Sequence, residues 1–123
     1  MSLAEQVIDA LSGLSVDVWH LPAPDPPGVS DPVVVFWRDD GQRKQRYQLD
    51  GTRELARSGV QFMVWSEAAE AVQATATQLE ALLEAHSSAT VRKVFIRSRS
   101  TKFDERTERH GLHIETEFVT TED

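Results

Sequence analysis

The stretch Arg57–His86 constrains the fold most, because a half-buried strand runs there directly into one long amphipathic helix. In Gly59-Val60-Gln61-Phe62-Met63-Val64-Trp65, Val60, Phe62 and Val64 alternate with Gln61, Met63 and Trp65. Period-2 patterning with β-branched and aromatic residues specifies a strand. Ser66 follows where a helix N-cap belongs, with Glu67 and Glu70 in the first turn, where carboxylates oppose the positive end of the helix dipole. Ala68, Val72, Ala76 (or Thr75), Leu79, Leu83 and His86 then recur at helical spacing, with Leu82 widening the stripe; Gln73, Thr77, Gln78, Glu80 and Glu84 form the opposite face. A strand and a helix joined by so short a link fold back on one another and bury both apolar faces.

The rest of the chain supplies partners for that unit. Leu3, Val7, Leu11 and Leu14, with Ile8 and Ala10, predict a helix over about Ser2–Ser12, with Ser2 as its cap, Glu5 in the capping-box position and Gly13 at its end. Val16–His20 alternates as a short strand. Pro22, Pro24, Pro26, Pro27 and Pro32 hold every proline of the chain within 22–32, which makes that segment a loop, either a plain connector or a stiffened contact surface. Val33–Trp37 is apolar on both faces, as an interior strand is. Asp39-Asp40-Gly41 is a turn signal, so Gln45–Leu49 is expected to return as its hairpin partner. Thr52–Ser58 is open between a loop and the start of the central strand. Beyond a break at Ser87-Ser88, Val91–Ser100 is expected as a strand with Val94 and Ile96 inward and Lys93, Arg97 and Arg99 outward. Gly111–Val119 alternates Leu112, Ile114 and Phe118 against His113, Glu115 and Glu117, Thr101–His110 forms the tip between these strands, and 120–123 is a frayed tail. An α+β fold results: one domain over 1–123, an antiparallel or mixed sheet with the N-terminal helix and the long helix packed on one face.

With 123 residues, such a chain buries roughly two-thirds of its unfolded surface. It has no cysteine, which excludes disulfides, thiolate metal sites and cysteine nucleophiles. No run reaches the ~18 apolar residues of a membrane span, and Met1–Gln6 has no basic, apolar leader pattern, so a cytoplasmic site of synthesis and no membrane partner are expected. The net charge of −7 argues against a sequence-specific nucleic-acid binder. Charge is uneven, though. From Arg92 to Arg109 seven Lys/Arg stand against three acids, a balance of +4 that leaves −11 elsewhere. Such asymmetry either steers DNA or RNA or lets identical subunits meet head to tail, basic edge against acidic edge, and the second is favoured because no aromatics beyond Phe95 and Phe103 interleave the basic block. Paired antiparallel, the last two strands also set a basic row beside an acidic one.

No catalytic constellation emerges, and the chain is expected to be a non-enzyme without metal or cofactor. His110 and His113, three apart on a strand, point to opposite faces. His86 suits a helix C-terminus, and His20 has no evident carboxylate partner. Serines sit in no nucleophile elbow, no glycine-rich loop precedes a helix, and Asp39-Asp40 beside Gly41 is turn chemistry. Trp37, Met63 and Trp65 are more informative. Val33–Trp37 is apolar on both faces, and Met63 and Trp65 stand on the side of the central strand away from Phe62, which calls for a cover: the N-terminal helix, the proline loop, or a neighbouring subunit.

Taken together, "PVVVFWRDDGQRKQRYQLDG", "RSGVQFMVWSEAAEAVQATATQLEALLEA" and "IRSRSTKFDERTERHGLHIETEFVT" resemble, in order, the tail-completion family of long-tailed bacteriophages, which holds tail-terminator and head–tail joining proteins. The resemblance spans about Pro32–Val119; the proline loop is longer and richer in proline than the family pattern. It implies an α+β virion protein that forms a homo-oligomeric ring, generally a hexamer, at the head-proximal end of the tail tube. Its partners would be itself, the tail tube protein and the head connector, and its place the virion, after assembly in the host cytoplasm. Arg97, Arg99, Lys102, Phe103 and Arg106, with Pro24, Pro26, Pro27, Trp37, Met63 and Trp65, are the expected contact residues. An Arg97→Glu, Arg99→Glu double change is expected to impair assembly of a folded monomer. The alternative is a small cytoplasmic adaptor or ligand-binding α+β domain, marked by a concave apolar cleft and no ring.

Overall fold

The computed structural model describes residues 3–20, 31–39, 45–49, 53–88 and 91–122. The elements run α1 (Leu3–Ala10), β1 (Asp17–His20), β2 (Val33–Arg38), β3 (Gln45–Leu49), β4 (Arg53–Ser66), α2 (Ala69–Ala85), β5 (Val91–Asp104) and β6 (Arg109–Glu122). The strands form one mixed sheet in the order β1-β2-β4-β6-β5, with β3 also paired to β4. β1 and β2 are parallel; every other pairing is antiparallel.

The alternation in β4 and β6 settles which side chains go inward. Val60, Phe62 and Val64 of β4 share a face with Leu112, Ile114 and Phe118 of β6, Val34 and Phe36 of β2, and Val91 and Val94 of β5. Both helices pack on this face. α1 contributes Val7 and Ala10, followed by Leu11, and α2 contributes Val72, Ala76, Leu79 and Leu83, all in one continuous cluster. The buried hydroxyl of Thr116 donates to the Val60 carbonyl at 2.7 Å, so this polar group within the layer is satisfied. The α+β architecture, with helices on one face, is as the residue pattern predicts.

Several local features differ. Ser66 is not the N-cap of α2. It is the last residue of β4, opposite His110, and the helix starts after Ala68, which makes no side-chain cap. The Ser66 hydroxyl donates to Asp31 Oδ1 and accepts the Ala68 N–H at 3.1 Å, while Asp31 Oδ2 accepts the Glu67 N–H at 3.2 Å. Two side chains thus tie down the strand-to-helix joint in place of one cap. At the other end His86 does cap α2, its N–H directed to the Leu83 carbonyl. Ser88 then exchanges two hydrogen bonds with Val91 at the entry to β5.

β3 does not return along β2. Both pair antiparallel with β4, β2 against Val60–Trp65 and β3 against 53–57, and since β6 takes the other edge of β4 they lie end to end. The turn of the last hairpin is narrower than expected, Glu105–Glu108, with Glu108 at φ 55°. β6 extends to Glu122, paired with β4, where a frayed end is expected from Thr120. The register of β5 against β6 shifts at Arg92 and at Arg97. The extra residue at Arg97 turns Arg99 onto the helix face, opposite Ile114, so Arg97 and Arg99 do not share the outward face. The prolines at 22–27 lie outside the described residues; Pro32 follows Asp31 through a cis peptide bond.

Candidate interaction face

The second face of the sheet carries no helix among the described residues. Trp19, Trp37 and Trp65 all belong to it, around Val33, Val35 and Met63. The tryptophans are half-buried, whereas Met63, Val33 and Val35 are buried. Close contact between strands accounts for part of this. Trp65 lies over Gly111, its cross-strand partner: a Cβ on Gly111 would stand 2.6 Å from Trp65 Cζ3 and 2.7 Å from Met63 Cε. Trp37 stacks on His113 at 5.9 Å with the rings 3° from parallel. His113 Nε2 is 2.6 Å from Gln61 Oε1, and the Gln61 amide donates to Asp39 Oδ2 at 2.9 Å. This polar chain crosses three strands and orients the indole of Trp37.

Toward β5 the same face becomes charged. Glu117 sits between Arg57, at 3.1 Å, and Arg97, at 3.2 Å, and the Arg97 guanidinium also lies 5.1 Å above the Phe95 ring. Arg99 instead reaches the helix side and pairs with Glu80 at 3.0 Å. The expected basic row along β5 is therefore split between the two faces, and the ladder between β5 and β6 has its rung at Arg97–Glu117, with Ser98 opposite Glu115. Glu80 Oε1 and Glu117 Oε1 are buried, and the charge on each is met by an ion pair, to Arg99 and to Arg57. Lys102 and Arg106 are exposed, and the Arg106 N–H closes the turn on Asp104 Oδ1 at 2.9 Å. Phe103 is 53% exposed, its ring 5.0 Å from His110.

His110 and His113 lie on opposite faces of β6. Among the described residues no three His, Asp or Glu side chains are grouped to hold a metal ion. No described helix is long and apolar enough to cross a membrane.

A cleft that the sequence does not announce opens between α1 and the sheet. Val7, Phe36 and Val60 form its floor, Leu3 and Ala4 its wall, and His20 and Arg38 its rim, around about 200 Å³. His20 stacks on Phe36 at 4.8 Å. The parallel register of β1 with β2 brings these two rings together, and it depends on a pairing across residues 21–32 that no local pattern encodes.

Neither a comparison with protein-family models nor one with curated proteins finds a match. Among solved structures the chain is similar to a chain of the "Virion of native gene transfer agent (GTA) particle", at 12% identity and a TM-score of 0.58. The match covers 94% of this chain and 84% of that one, so the two share a fold over most of their length.

Proposed function

We propose that this chain is a structural subunit of a phage-type particle, forming a ring, of six copies, at the head-proximal end of a tail tube. There it ends tube growth, joins the tube to the head connector, or does both. The observation that carries this reading is the fold shared with a virion chain over most of the length of both. The order of sequence features resembling the tail-completion family points the same way, as does the separation of charge between the two ends of the sheet. The work of such a protein is done by interfaces. A contact between unlike surfaces, repeated about an axis, closes a ring, and electrostatic complementarity sets its register and its salt sensitivity.

The test is electron microscopy of a lysate from particles whose gene for this chain is disrupted. Full heads beside separate, overlong tails identify a terminator. Tails of normal length that do not attach identify a joining protein, and intact infectious particles overturn the proposal. A second reading, a ligand-binding or adaptor domain, is favoured by the apolar cleft beside α1. A small molecule held by a monomer in native mass spectrometry is the result expected of it.

A further inference from the structure

We infer that copies of this chain join head to tail through one anchor, the Phe103 tip of the β5–β6 hairpin of one copy seated in the α1/β2 cleft of the next. The contact rests on the reading of the chain as a ring subunit. Four features lead to it. The cleft has a floor of side chains nearly closed to solvent (Val7, Phe36, Val60) and holds about 200 Å³. A dry apolar cavity of roughly 150 Å³ already accommodates a benzene ring, so the cleft is of the size for a phenyl group. Phe103 offers one: it and Ile8 are the large apolar side chains more than half exposed among the described residues.

The two surfaces lie toward opposite edges of the sheet, three strand spacings apart from β2 to β5, or ~14 Å. Phe103 therefore does not reach the cleft of its own chain, and the contact is heterologous, the kind that propagates around a ring. Charge matches it. Residues 3–20 carry Glu5, Asp9 and Asp17 and no Lys or Arg, whereas β5 carries five Lys/Arg against Asp104. In the proposed contact Lys102, which is exposed and forms no ion pair among the described residues, flanks Phe103 together with Asp104 and Glu105, and they meet an acidic α1 segment and a cleft rim that carries Arg38 and His20. A single aromatic anchor of this kind supplies specificity at the centre of a wider interface.

Because the chain has no cysteine, introduced thiols report the contact directly. Ala4→Cys, on the cleft wall, and Thr101→Cys, on the same strand as Phe103, are each treated with a short bis-maleimide, alone and mixed. Linked dimers in the mixture, and their absence from either variant alone, are expected; a chain carrying both changes gives a ladder that stops at the ring number. Linkage within one variant alone, or none in the mixture, overturns the contact. In the cysteine-free protein, Phe103→Ala is expected to weaken association at least tenfold in sedimentation, with thermal unfolding unchanged, and Phe103→Trp to retain it. Association unaffected by Phe103→Ala overturns the anchor and leaves the particle reading to the microscopy. A protein monomeric at every concentration, or one holding a small molecule in the cleft, overturns the second copy as the occupant.

Discussion

Trp65 and Gly111 face each other across β4 and β6, and the indole occupies the space that any side chain at 111 would need. The missing Cβ is what lets the ring lie flat on the neighbouring strand. Gly111→Ala forces Trp65 and Met63 to move together, and overpacking of this kind costs about 1–3 kcal/mol. Urea denaturation followed by tryptophan fluorescence measures the loss, and the emission of the folded state should shift as Trp65 is lifted. A Gly111→Ala protein with wild-type stability and spectrum would contradict the geometry.

Asp31 ties the end of β4 to the start of α2 through the Ser66 hydroxyl and the Glu67 N–H. Removing both acceptors with Asp31→Ala should cost about 1–2 kcal/mol. Amide exchange should quicken at Glu67 and Ala68 and stay slow in the centre of β4, which locates the effect at the joint.

Leu79 and Ile8 are both apolar positions on helical stripes, yet Leu79 is fully buried beneath α2 and Ile8 is 52% exposed on α1. Leu79→Ala should cost ~2–5 kcal/mol, and Ile8→Ala within about 0.5 kcal/mol. Equal losses in equilibrium denaturation would mean that α1 is covered differently from α2.

Glu117 joins Arg57 and Arg97, but both arginines are more than a third exposed. After allowance for solvent screening, Glu117→Gln should change stability by less than ~1 kcal/mol, and the difference should shrink further in molar salt. Melting curves at low and high ionic strength check this.

The split of the basic row changes how an assembly variant must be chosen. Arg99→Glu would set a second carboxylate beside Glu80 and disturb the monomer. Lys102→Glu, at an exposed position, is the cleaner charge reversal, expected to weaken self-association while leaving the melting temperature in place.

Side-chain parity was legible in the sequence because it is local. Val60, Phe62 and Val64 opposite Met63 and Trp65, and Leu112, Ile114 and Phe118 opposite His113 and Glu117, need no knowledge of their neighbours. What depends on pairing was not legible. Asp40-Gly41 and Asp50-Gly51 are equivalent turn signals by composition, yet the residues flanking the second pair with each other, whereas β3 follows β2 end to end along the same edge of β4. The register shift at Arg97 has no marker such as glycine, so Arg99 was expected on the wrong face. Ser66 has the composition of a cap, but Asp31, which claims its hydroxyl, is distant in sequence. The contact candidates Trp37, Met63 and Trp65 do gather on one face, whereas the cleft required knowing that β1 lies parallel to β2.

The place of β6 has a consequence for how the molecule is made. It follows every other described element along the chain and lies between β4 and β5, bonded to both along nearly their full lengths. Until it is synthesised, one edge of β4 and both edges of β5 are unpaired, and the floor beneath α2 lacks Leu112, Ile114 and Phe118. The strands β1 to β4 have pairings of their own, but β5 joins the sheet only through β6, and a chain cut short before Arg109 leaves one edge of β4 and both edges of β5 open to any other chain nearby.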